Sequence, residues 1–422
     1  MKQWQKYVLS NGLRVLLVPQ KGITTATVLV LVEAGSKYEV KKLNGISHFL
    51  EHLCFKGTKK RPTSFDVVSE LETLGSSHNA FTGHEVTGYH SKVAAPKISA
   101  ALEIISDLYL NPVFDSAELE KEKGVVIEEL NMFEDMPMRL VPEYFTELLY
   151  ADQPAGWRVG GTKTTIPSFT REDVIRYRSA HYVAEGTVVV VAGNVKPQQI
   201  LKEIKQLFKT IPITKKTDKL PVQESQKDPQ VRLIKKDSDQ THIALGFRAF
   251  SMFDERRYAL SILMDVLGGG MSSRLFQKVR SAMGVAYYIE ADASLLTDHG
   301  FWTVSAGIDN HKLIPALEAI MQEFRKLKLA SITRSELERA KKHLSGQLLT
   351  GLETSEALAS FYGQQEIFKE KILASETIIK HLKAVTLDQV TQVAKDTIRN
   401  EGLNLAMIGP LTDLPKDFQF KV

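Results

Sequence analysis

A chain of 422 residues exceeds what one hydrophobic core usually organises, so at least two domains are expected. With 43% hydrophobic and 25% charged residues it is neither disordered nor fibrous, and a formal net charge of +4 with interspersed signs supplies no basic stripe for nucleic acid. Cys54 is the single cysteine, no run approaches 18 apolar residues, and Arg14 interrupts the apolar run near the N-terminus. No internal disulfide, no membrane contact and a cytoplasmic location are therefore expected.

In chain order, residues 14–18 and 25–32 are short β-branched runs and read as strands. Residues 43–56 carry apolar groups at helical spacing, with Asn44 in position to cap the start and Gly57 to stop the end. On that helix sit His48, Glu51 and His52. Residues four apart share a face, so both imidazoles can approach one ion to about 2 Å. Glu51 lies on the same face, where a carboxylate can act as base toward water activated by the ion. The order His-x-x-Glu-His inverts the commoner zinc-peptidase motif. Cys54 points elsewhere on the helix and reads as a small buried residue.

A catalytic zinc takes three protein ligands and leaves one position open, so a further ligand is required. His78, His84 and His90 form no tidy constellation and read as non-ligands. Residues 97–108 and 116–133 read as amphipathic helices, and the second offers several acids. Glu122 and Glu129 are two turns apart and share a face; Glu128 points about 100° away from Glu129. Glu118, Glu120 and Glu134 read as solvated charges. Residues 188–192 form another strand closed by Gly193. Strands interspersed with helices suggest an α+β fold, a mostly antiparallel sheet with helices packed on one face.

The second half repeats the first. Ala101-Leu102-Glu103 returns as Ala316-Leu317-Glu318, Glu118-Leu119-Glu120 as Glu336-Leu337-Glu338, and the spacing of Thr170, Val174 and Gly193 as that of Thr386, Val390 and Gly409. The offsets are 215, 218 and 216, which indicates an internal duplication. The expected division is an N-terminal metal-binding domain over 1–212, an exposed linker over 213–230 and a C-terminal repeat domain over 231–422. Carrying the offset forward sets Ala340 opposite Glu122 and Gln347 opposite Glu129, and no His-x-x-Glu-His recurs. Joint loss of acids and histidines is expected if they form one site. Gly268-Gly269-Gly270 lacks the following Lys and hydroxyl of a phosphate loop and reads as a helix stop.

With His52 and Glu129 separated by 76 residues, nearly the whole chain resembles the pitrilysin and insulin-degrading enzyme superfamily, specifically its short, mitochondrial-processing-peptidase-like branch. The resemblance implies a zinc metalloendopeptidase with one zinc per chain on His48, His52 and Glu129, Glu51 as base and Glu122 in support. It also implies that Asn79-Ala80-Phe81-Thr82 is an edge strand whose Asn79, Ala80 and Phe81 meet an extended peptide. Phe55 matches a position lining the pocket beyond the cleaved bond. Arg280 and Tyr287, seven apart, match a pair that holds substrate carbonyl oxygens. The chain has half the length of an insulin-degrading enzyme, so two chains, as a homodimer or heterodimer, are implied around a peptide or unfolded substrate. The alternative is a non-catalytic or partner-dependent subunit of a processing-peptidase-like complex.

Overall fold

The β-branched runs become the centres of two sheets in the computed structural model, which describes residues 4–330, 332–369 and 371–422. The first sheet comprises β1 (Gln5–Val8), β2 (Arg14–Pro19), β3 (Thr25–Val32), β4 (Ser77–Thr82), β5 (Thr87–Ala94) and β6 (Thr187–Gly193), in the order β1-β2-β6-β3-β5-β4. The second comprises β7 (Gln230–Lys235), β8 (Gln240–Ala249), β9 (Ala286–Leu295), β10 (Gly300–Asp309) and β11 (Leu403–Gly409), in the order β7-β11-β8-β10-β9. Each sheet has one parallel pair, β2 with β6 and β7 with β11, and is otherwise antiparallel. Leaving aside the edge strand β1, replacing β2, β6, β3, β5 and β4 by β7, β11, β8, β10 and β9 converts one order into the other with every direction kept. The duplicated phrases thus mark a duplicated topology. Matching capping boxes, Thr170 with Asp173 and Thr386 with Gln389, open the helices Arg171–His181 and Leu387–Thr397 at equivalent points.

The α+β class holds, with an addition on the second face of each sheet. All seven residues of β6 are buried, which requires cover on both sides. On one face of the first sheet lie the helices Ile46–Cys54, Ile98–Leu110, Arg171–His181 and Pro197–Leu207. On the other, the helix Ser355–Ile367 covers Leu16, Val18, Leu29, Leu31, Val188, Val190 and Ala192 with Leu358, Ala359, Tyr362 and Ile367. The second sheet carries Arg257–Gly268, Leu313–Ala330 and Leu387–Thr397 on one face. The helix Pro137–Tyr150 packs Leu140, Val141 and Phe145 against Ala244, Ala406 and Ile408 on its other.

The compact units are consequently not the contiguous ranges 1–212 and 231–422. One contains the residues up to Asn131, Trp157–Leu220 and Leu349–Ala374; the other contains Met132–Gly156, Pro221–Leu348 and Ser375–Val422. Each half of the sequence lends one helix to the sheet built by the other half. The linker reading also changes. Lys216 is buried with its Nζ 2.6 Å from the Glu33 carboxylate, and Lys219 Nζ lies 3.0 Å from Glu85, so two charges tie this segment to the first unit. Among the described residues no helix is long and apolar enough to cross a membrane.

Candidate metal centre

The helix Ile46–Cys54, hereafter the motif helix, buries Ile46, Phe49, Leu50, Leu53 and Cys54 and leaves His48, Glu51 and His52 half-buried on its other side. It is shorter than the expected 43–56. Asn44 does not cap it: the N-cap position is Gly45, whose φ of 97° disfavours a side chain. The cap comes instead from Glu39, whose Oε2 accepts from Gly45 N at 2.7 Å and whose Oε1 accepts from Ser47 N at 2.8 Å. The acid helix, Ser116–Glu134, starts where expected and carries Glu122 and Glu129 on one side.

These helices bring three ligand atoms together. His48 Nε2 and His52 Nε2 are 3.2 Å apart, and each lies 3.6 Å from Glu129 Oε2. A tetrahedral ion with bonds of about 2.0–2.1 Å separates its ligands by about 3.3 Å, so the triangle has the size of one face of such a site. Among the described residues no other set of three His, Cys, Asp or Glu side chains converges this way. The chemistry of the donors, two imidazoles and a carboxylate with a fourth side open, suits a catalytic zinc.

Electrostatics favours the neutral, ligating form at His48 and the protonated form at His52, whose proton an incoming ion would displace. Burial lowers His48 to about 4, so its imidazole is neutral at pH 7, and its buried Nδ1 has no partner among the described residues. Burial alone would lower His52 as well, but the hydrogen bond to Glu122 and the nearby carboxylates raise it. His52 Nδ1 lies 2.8 Å from Glu122 Oε1, a carboxylate–histidine contact that turns Nε2 toward His48 Nε2 and Glu129. Glu122 is itself buried, yet His52 and Lys56, whose Nζ is 2.6 Å from Oε2, hold it below the usual carboxylate range.

Glu51 stands on the same side of the motif helix, and burial raises its pKa. Its Oε2 accepts from Thr82 Oγ1 at 2.6 Å. Sequence reasoning quoted Thr82 within the Asn-Ala-x-Thr phrase without giving it a role; the signal was strand alternation, which sends Ala80 and Thr82 to one face and Asn79 and Phe81 to the other. β4 is an edge strand, paired among the described residues with β5 alone. Ala80 packs toward the core under the motif helix, whereas Phe81 joins the cluster under Ser355–Ile367. Asn79 Oδ1 accepts from Ala80 N at 2.9 Å.

Phe55 is half-buried against the core, its ring 6.3 Å from that of Tyr89. Arg280 belongs to the second unit, exposed on the π-helix Phe276–Ala282 with its guanidinium 4.9 Å from the Phe276 ring centre. Tyr287 is exposed on β9, an edge of the second sheet. Cys54 is fully buried with its thiol pushed up to about 11 by burial. His78, His84 and His90 face Ser76, Ser36 and Glu356 respectively, outside the converging group.

Residues 14–163 match the family described as Insulinase (Peptidase family M16), and residues 168–344 match the Peptidase M16 inactive domain. The chain is 33% identical to the uncharacterized zinc protease YmxG of Bacillus subtilis, over 97% of this chain and 99% of that protein. It is 31% identical to the uncharacterized zinc protease SCO5738 of Streptomyces coelicolor, over 97% of this chain and 90% of that one. In fold it is similar to a crystal structure of a protease from Helicobacter pylori, with a TM-score of 0.91, 24% identity and coverage of 96% and 99%. A peptidase M16 inactive domain from Pseudomonas fluorescens gives a TM-score of 0.90 at 17% identity, covering 98% of this chain and 99% of that one. With both halves matched in order and relatives of this identity spanning its length, the chain belongs to the insulinase family, peptidase family M16.

Proposed function

We propose that this protein is a zinc-dependent metalloendopeptidase that hydrolyses short or unfolded polypeptides and works as a dimer. The observation that carries the reading is the convergence of His48, His52 and Glu129 beside a half-buried carboxylate, Glu51, held by Thr82. All three ligands and the base are present, which argues against the non-catalytic subunit. Relatives named as uncharacterized zinc proteases support the choice of metal and reaction, and the single converging group among the described residues supports one ion per chain.

Zinc held there supplies Lewis acidity and brings the pKa of water that it binds toward about 7. The protein's own groups do the rest. Thr82 fixes Glu51 Oε2 and leaves Oε1 to take the proton of the attacking water and return it to the leaving amine. The raised pKa of Glu51 brings its basicity nearer neutrality, where such a shuttle is most effective. Glu122 orients His52. The open side of β4 at Asn79, Ala80 and Phe81 pairs with an extended backbone, which confines substrates to unfolded segments. Phe55 flanks the side chain beyond the cleaved bond.

Arg280 and Tyr287 supply donors to the carbonyl oxygen that gains charge in the reaction. In the dimer they come from the partner, so each site uses the metal centre of one chain and the Arg and Tyr pair of the other. Glu51→Gln co-expressed with Arg280→Ala tests this with an unstructured fluorogenic peptide. Each mixed dimer then holds one doubly damaged site and one intact site. With random pairing, about a quarter of wild-type turnover is expected to return although each variant alone is nearly inactive. Mixed dimers confirmed by mass that recover nothing would refute shared sites, and a wild-type chain inert toward every unstructured peptide would refute the peptidase reading.

A further inference from the structure

The metal ligands come from two helices that are remote in sequence, His48 and His52 from one and Glu129 from the other. Productive geometry requires such groups to be held within about 0.5 Å, so some element must fix the helices against each other. The start of the motif helix is where this can be done. A helix leaves its first N–H groups without internal partners, and Gly45 has no side chain to serve them.

Glu39 takes over that role from upstream. It is buried, and every contact of its two oxygens points to the same place: Gly45 N at 2.7 Å and Asn44 Nδ2 at 2.9 Å on Oε2, Ser47 N at 2.8 Å on Oε1. Ser47 directly precedes His48. A carboxylate also suits the partial positive charge of a helix N-terminus. The contacts then continue outward. Asn44 Nδ2 donates to Arg158 O at 2.9 Å, and Thr165 Oγ1 donates to Asn44 O at 2.8 Å.

The segment between those residues reaches the second helix. Gly161, with φ of 77°, lies so close to Gly45 that a Cβ on Gly45 would stand 2.7 Å from Gly161 Cα. A Cβ on the adjacent Gly160 would stand 3.1 Å from Leu130 Cδ2, and Leu130 follows Glu129 on the acid helix. An unbroken line of contacts therefore runs from Glu39 through the start of the motif helix and the 158–165 loop to the acid helix.

We infer that Glu39 is a positioning residue of the metal centre, whose carboxylate clamps the motif helix to the 158–165 loop and so sets His48 and Glu51 against Glu129. The inference rests on the metal reading above and adds to it the residue that aligns the ligands. Glu39→Gln keeps the shape but turns an amide donor toward the N–H groups of Gly45 or Ser47. Loss of an outer-shell partner costs about 10- to 100-fold in metal affinity.

Zinc affinity by competition with a chelator, and the visible spectrum of the cobalt-substituted protein, are the readouts, with folding checked by far-UV circular dichroism. Folded Glu39→Gln is expected to bind zinc about 10- to 100-fold more weakly and to show an altered cobalt spectrum. Leu263→Ala, a cavity in the core of the second unit, lowers the melting temperature but leaves both readouts unchanged. Thr165→Val, at the half-buried outer end of the contact line, is expected to keep the fold and lose about fivefold in affinity, the worth of its hydrogen bond to Asn44 O. Wild-type affinity and spectrum in Glu39→Gln or, should that variant not fold, in Thr165→Val would overturn the inference, as would an equal loss in Leu263→Ala. A wild-type chain that binds no zinc would overturn the metal reading itself.

Discussion

Glu51→Gln is expected to lower turnover of an unstructured peptide at least about a thousandfold, some 4 kcal/mol of transition-state stabilisation, while one zinc per chain is retained. The substitution is nearly isosteric, and its amide oxygen still accepts from Thr82 Oγ1, so the motif helix and β4 keep their relation. None of the ligand atoms belongs to Glu51. What disappears is the proton acceptor alone. Steady-state kinetics and a metal count on the same sample check this, and turnover within tenfold of wild type would remove Glu51 from the chemistry.

A fragment of residues 1–230 is expected to show no cooperative thermal transition, although it contains all the proposed metal ligands. Without the helix Ser355–Ile367, one face of the first sheet exposes Leu16, Val18, Leu29, Leu31, Val188, Val190 and Ala192. Uncovering a fully buried Val or Leu costs about 1.5–3 kcal/mol, so the face forfeits about 10 kcal/mol or more. That is comparable with the whole stability of an ordinary domain, about 5–15 kcal/mol. The same cut strands Glu33 without part of its surroundings and removes Glu366, which Arg14 and Lys6 approach at 3.5 and 2.9 Å. Calorimetry of the fragment alone and after co-expression with residues 231–422 tests the point. Restoration of a transition by the second fragment is expected; a sharp transition from a monomeric first fragment would show that the exchanged helix is dispensable.

Much of this was legible in the sequence because the signals are local. Helical spacing set His48, Glu51 and His52 on one side of a helix, and spacing by two turns did the same for Glu122 and Glu129. The repeat phrases carried the topology because each half folds by the same rules. The exchange of helices was not legible: the apolar residues of 355–367 announce burial but do not say which sheet they cover. The cap on the motif helix was misassigned to Asn44, since a side-chain acceptor beside a helix start is the usual arrangement, whereas Glu39 reaches Gly45 and Ser47 across intervening turns. Thr82 escaped for a related reason, because a strand-to-helix hydrogen bond depends on register. Lys216 looked solvated by composition, and its contacts with buried Glu33 and with Asp218 account for its burial.

The most direct measurement of the metal centre is an anomalous difference map recorded at the zinc absorption edge from crystals grown with zinc. One peak per chain is expected, about 2 Å from His48 Nε2, His52 Nε2 and a Glu129 carboxylate oxygen. A chain saturated with zinc whose only peaks lie elsewhere, or one that shows none, would contradict the assignment of these three residues as ligands.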